Sequence, residues 1–415
     1  MVGLARGLAL ATCTLLGTGL EREARAAAPA LPGDWTVDTS WLSYAEADGR
    51  VSVSKSMGTL TRTLEDGALS VSLVHDTMSG ASPTGGIRSE NVAVTYSGPS
   101  GGPGFVPGSG DDGSTGRFDD ERVQAGVDRD QALSRTLTLS YGAVVSREAD
   151  YDSLGASIGI ARERADRLAS VDVGLAYTLD SIYRSAGEDT PEPLAEVGRA
   201  RRFEAGQRRT VETRLGTSRV LNRRTLAEAS VTIGFSEGYH TDPYKVVSAA
   251  DADDRLIADL HESRPGSRLR TSVQGRIVHR VSDSPDTLRL GYRLYRDDWG
   301  IVSHTANLRY RRALSERQFI EPHVRLYLQS AADFLVRKLD VDASLEPILP
   351  ANGFVSADYR LDDMRTLTLG LKYGVSLGER TDLRVRAEIV DQRFDTVDHD
   401  RNRATVLQTS LRHRF

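Results

Sequence analysis

Two carboxylates, an indole and an imidazole crowd together in Asp297-Asp298-Trp299-Gly300 and His304. Carboxylates beside a histidine can hold a metal ion or supply an acid and a base for hydrolysis. The same residues also spell a tight hairpin. There Gly300 sits at the turn, and Trp299 is expected in an interfacial aromatic belt. The hairpin is the stronger reading, because a metal needs more ligands at fixed spacing than this cluster offers.

A second set is rich in arginine. Arg289, Arg293, Arg309, Arg311, Arg325, Arg384 and Arg386 fall on the polar faces of alternating segments, with His323 and Tyr327 on the face of Arg325. Such a row lining a lumen would attract anions and contact a solute, as charged linings do in selective pores. Paired with Asp297, Glu321 and Glu388, the same side chains would only fill space. The residue types leave both readings open.

Other sets fail on spacing. The acidic runs at Asp111, Asp112, Asp119, Asp120 and Glu121 and at Asp251, Asp253 and Asp254 lack the ligand spacing and pivot glycine of a calcium loop. Ser303 and His304 are adjacent, so on a strand they point to opposite faces and cannot form a dyad. There is no His-Glu-x-x-His zinc motif, no haem-attachment motif and no phosphate-cradling glycine loop before a helix. Neither a catalytic set nor a metal or other cofactor is expected.

The elements that would position these residues are strands. From Trp35 to Phe415, alternating segments of about ten residues follow one another with no convincing long helix. Leu288, Leu290, Tyr292 and Leu294 oppose Arg289, Gly291, Arg293 and Tyr295. Leu367, Leu369, Leu371 and Tyr373 oppose Thr366, Thr368, Gly370 and Lys372, and Leu383, Val385, Ala387 and Ile389 oppose Arg384, Arg386 and Glu388. One apolar face and one wet face of Arg, Gly, Ser and Thr fit an all-β transmembrane antiparallel barrel better than a soluble sandwich. The last strand ends on Phe415, which is expected to be the insertion signal read by the barrel assembly machinery.

Composition agrees. The chain has 415 residues, 27% of them charged, and a formal net charge of −5. That charge is too small to suggest a nucleic-acid partner. No run of about 18 apolar residues exists, which excludes a membrane-crossing helix and says nothing against a barrel. Arg6, the apolar stretch from Leu8 to Leu20 and small residues near Ala26 predict a secretory signal at 1–28, leaving a barrel domain at 29–415. The single cysteine, Cys13, falls inside that leader. Long connections at Met78 to Gly116, Tyr183 to Gly206 and Tyr239 to Pro265 are expected outside the cell. Short turns, Arg129-Asp130-Gln131 among them, are expected on the periplasmic side. The strand map suggests about eighteen strands, counting one within Asp333 to Val341, with about sixteen as the fallback.

Several segments resemble a known family. They include DTMSGASPTGG (Asp76 to Gly86), GYHTDPYK (Gly238 to Lys245), ESRPGSRLR (Glu262 to Arg270), YRLYRDDWGIVSHT (Tyr292 to Thr305), EPHVRLYLQSAADF (Glu321 to Phe334) and SADYRLDDMRTLTLGLKYG (Ser356 to Gly374). In this order, from about Trp41 to the C-terminus, they closely resemble the bacterial proteins grouped as domain of unknown function 3570. The resemblance implies a bacterial outer-membrane barrel in contact with outer-membrane lipid, and carries over no catalytic residue. Genes of the family often neighbour those for a periplasmic flavin transferase, a small lipoprotein and a thioredoxin-like protein. A periplasmic or lipoprotein partner linked to flavin or redox chemistry is therefore implied. The expected function is a non-catalytic pore or scaffold, passing a small solute or holding such a partner. The alternative is an enzyme at the extracellular rim around Asp297, Asp298 and His304.

Overall fold

A computed structural model describes residues 33–86, 115–184, 190–197, 206–281, 284–395 and 400–415. The expected leader at 1–28, and most of the Met78–Gly116 connection with Asp111 and Asp112, lie outside these residues.

Alternation produces strands as expected. The first nine are β1 (Trp35–Glu46), β2 (Val51–Leu64), β3 (Gly67–Pro83), β4 (Thr115–Ala132), β5 (Leu137–Arg147), β6 (Tyr151–Glu163), β7 (Ala169–Ile182), β8 (Gly206–Asn222) and β9 (Thr225–Gly238). Two short strands, β10 (Val246–Ala250) and β11 (Leu256–His261), then leave the wall. The wall resumes with β12 (Ser267–Arg280), β13 (Thr287–Asp297), β14 (Val302–Ala313) and β15 (Gln318–Gln329). After the two-residue β16 (Leu339–Asp340), it finishes with β17 (Met364–Ser376), β18 (Thr381–Phe394) and β19 (Arg401–Arg414).

Sixteen strands close into one antiparallel barrel. The seal is β1 against β19, in register from Thr36↔Arg414 to Glu46↔Ala404, so no edge is left unpaired. The count is sixteen, not eighteen. The segment Asp333–Val341 adds no wall strand, because β15 and β17 pair directly from Gln318↔Val375 to Gln329↔Met364 and leave no room between them. Its short strand β16 instead joins β10 and β11 in a separate three-stranded sheet, parallel to β10. Arg129, Asp130 and Gln131 are not a turn either. They belong to β4, whose pairing with β3 runs as far as Gly67↔Gln131.

The outward positions form a lipid-facing belt. Leu290, Tyr292, Leu326, Leu369, Leu371 and Ile389 are all exposed, as apolar side chains meant for lipid must be when no lipid is present. On β17–β19 the belt ends at the register row Arg365, Arg393 and Arg401, where charges begin at the extracellular boundary. Phe415 lies at the opposite end. Its N–H donates to the Trp35 carbonyl (2.9 Å), and its ring meets His413 edge-on. A closed antiparallel barrel with an apolar belt places the protein in the bacterial outer membrane, with long connections outside and short turns inside.

Candidate functional site

Inward positions of β12–β18 form a charged wall. On β15 and β17, Glu321 is almost fully buried and accepts from Lys372 Nζ at 2.8 Å, with Arg289 Nη1 at 3.5 Å. Beside it, His323 Nδ1 lies 3.1 Å from Glu388 Oε1, and Arg386 Nη1 lies 3.5 Å from the same oxygen. Arg311 stacks over Phe319 with its guanidinium carbon 3.7 Å from the ring centroid. Part of the arginine set is therefore held by carboxylates and rings. No ion pair joins Arg293, Arg325 or Arg384 to a carboxylate among the described residues. Arg293 lies over the Tyr295 ring at 5.8 Å, and its Nε has no acceptor. Tyr327, on the face of Arg325, donates its hydroxyl to Gln329 Oε1 at 2.5 Å.

The extracellular end carries a folded roof. β10, β11 and β16 bury Val247, Ala249, Leu260, Leu339, Val355 and Ala357 as one small core. Trp299, Ile301, Ala332, Phe334 and Leu361 form a second. Between the connections 239–266 and 330–363 lies a network of buried charges. Arg264 Nη2 donates to Asp358 Oδ2 (2.8 Å) and Glu262 Oε2 (3.1 Å). Arg360 bridges Asp358 (2.6 Å) and Asp242 (2.5 Å), while Glu262 accepts from Ser356 Oγ (2.5 Å) and the Asp242 N–H (2.7 Å). Burial pushes Glu262 above the usual carboxylate range. Burial acts the same way on Asp358, but Arg360, Lys245 and Arg264 overcome it and hold that carboxyl well below its usual range. This network had no signature in spacing. Its members come from three of the family-like segments, 238–245, 262–270 and 356–374.

The hairpin cluster divides. Asp297 faces inward and is saturated: it accepts from Arg268 Nε (2.9 Å), the Tyr295 hydroxyl (2.8 Å), and the N–H groups of Trp299 (3.1 Å) and Ile301 (2.9 Å). Asp298 accepts from the Leu269 N–H (2.9 Å). His304 is on the outward face, where Nδ1 meets the Tyr292 hydroxyl at 2.7 Å. The three therefore do not converge on one site. Trp299 does not join an aromatic belt. It is buried under the roof, beneath Arg268 at 4.1 Å and edge-on to Phe334, because turn residues that cap Asp297 swing it inward.

One group of carboxylates could meet a cation. Oxygens of Asp120, Glu148 and Asp150 lie within 4.8 Å of one another at the extracellular end of β4–β6. Burial is the main reason that Glu148 is pushed up to about 7 and Asp150 to about 6. Nothing else at the cluster points to an ion.

Comparison with known proteins yields a family. No match is found among curated protein sequences. Among solved structures, the ferric enterobactin receptor PfeA of Pseudomonas aeruginosa shares 12% identity at a TM-score of 0.44, over 87% of this chain and 54% of the receptor. CdiB from Acinetobacter baumannii shares 8% at 0.47, over 92% and 60%. A bacterial polysaccharide outer membrane secretin shares 9% at 0.44, over 93% and 100%. The chain thus spans about half the length of the first of these. The family model described as "Protein of unknown function (DUF3570)" matches residues 5–407. With that match over nearly its whole length, the chain belongs to the DUF3570 family.

Proposed function

We propose that the barrel is a non-catalytic, anion-preferring pore for small solutes, entered beneath the folded roof. The observation that carries this reading is the pair Arg293 and Arg325. They sit two wall strands apart on inward faces, and neither makes an ion pair with a carboxylate among the described residues. A barrel of about sixteen strands is wide enough to leave an aqueous channel. A guanidinium at that wall stays charged and raises the local concentration of anions. The rim-enzyme alternative has less support, since Asp297 accepts from Arg268, Tyr295 and two turn N–H groups and His304 is on the outward face.

Single-channel recording of the folded protein in a planar bilayer tests the reading. The reversal potential in a salt gradient should indicate anion preference, and Arg293→Gln with Arg325→Gln should move it toward neutrality. A folded barrel that does not conduct would overturn the pore. Conductance with unchanged selectivity in the double variant would overturn the assigned residues.

A further inference from the structure

We infer that the lumen is electrically polarised across its width, and that the solutes it favours are small zwitterions over neutral molecules of the same size. This rests on the pore reading and names the solute class of that pore.

Ring order decides which strands face each other across the lumen. In a closed ring of sixteen strands, the strand facing any given one is eight places away. The order puts β13 opposite β3, β14 opposite β4, and β18 opposite β7. The inward positions of β13, β14 and β18 carry Arg289, Arg293, Arg309, Arg311, Arg384 and Arg386, against the carboxylates Asp297, Asp382 and Glu388, so cations outnumber acids there. Those of β3, β4 and β7 carry Asp76, Asp120, Asp128, Asp130, Asp172 and Asp180. Across β3–β7, Arg122 is the one inward guanidinium among the described residues whose side chains are placed. A basic arc therefore faces an acidic arc.

The acidic arc draws much of its compensation from its flanks. Lys55 on β2 is 3.5 Å from Asp76, Arg208 on β8 is 2.9 Å from Asp180, and Arg214 on β8 is 2.5 Å from Asp172. This compensation comes from flanking strands and leaves the opposition of the two arcs in place.

Low-dielectric walls focus the field of such charges into the water between them. A neutral solute gains nothing from that field. A simple anion gains at one wall only. A zwitterion can turn its carboxylate toward the arginines and its ammonium toward the aspartates, and so gains from both. A barrel of about sixteen strands is wide enough to leave an aqueous channel, so the effect is alignment during passage rather than tight binding.

Osmotic swelling of proteoliposomes tests this with two isomers, alanine and lactamide, corrected for protein-free vesicles. Alanine is a zwitterion and lactamide is neutral, at the same mass. Alanine should enter at least about threefold faster, below the about tenfold or more that focused fields deliver for a full net charge. Asp76→Asn, checked for folding, should reduce that ratio. Entry of both isomers at equal rates would overturn the polarised lumen and leave the pore standing. Entry of neither through a folded barrel would overturn the pore, and this inference with it. The ratio in the native protein decides the matter even if the variant does not fold.

Discussion

Replacing Arg264 with Gln should open the roof while leaving the barrel closed. Arg264 is the cation shared by Glu262 and Asp358, whose side chains are 0% and 1% exposed. Its removal takes the ion-pair partner from buried Glu262 and leaves Asp358 with Arg360. Breaking a buried ion pair from one side costs about 3–5 kcal/mol. At about 1.4 kcal/mol per tenfold, the opened roof becomes roughly a hundredfold to several thousandfold more populated. The remaining 11% exposure of Arg264 favours the lower end, because water partly screens the pair. The barrel should not follow, since its wall is held by continuous strand pairing that includes none of these three residues. Limited proteolysis of reconstituted protein reads the population directly, provided the roof recloses faster than it is cut. Cleavage within 241–266 or 331–363 should accelerate by about two orders of magnitude, with the barrel still folded. Arg264→Lys should fall between variant and native, because it keeps the charge but loses the fork. An unchanged cleavage rate in Arg264→Gln would refute the reasoning.

Two further outcomes follow from the same region. His240 and His261 are both pushed down from 6.5 to about 4, burial being the leading cause for each. The opened state binds the proton more readily, so their contribution is complete above pH 6.5 and is lost as pH falls toward 4. Roof cleavage should therefore accelerate over that window, by up to about tenfold per pH unit for each group, and His261→Gln should flatten the profile. Glu262, raised by burial, works in the opposite direction, so the comparison must keep it intact. A pH profile identical in native protein and variant would count against the assignment. Separately, Gly300 has φ of +88°, and a Cβ there would collide with the Asp333 carboxylate. Gly300→Ala should loosen the β13–β14 hairpin by about 1–2 kcal/mol, read as faster cleavage near 298–301.

What the sequence determined by itself is local. A period of two assigns each residue to a face once one neighbour is placed. Leu383, Val385 and Ile389 on lipid therefore required Arg384, Arg386 and Glu388 inside, and the structure agrees. The parity also assigned His304, since Ser303 and His304 oppose one another, but it had to be carried across the turn from Asp297 to separate them. The strand number was not local. Residues 333–341 look like wall until β15 and β17 are seen to pair directly. The roof was less legible still, because Arg264 and Asp358 meet across 94 positions of sequence. Alternation is a property of neighbouring residues and survives any register. Closure, the opposition of β13 to β3, and the burial of Trp299 depend on which distant strands meet, and only the tertiary structure decides that.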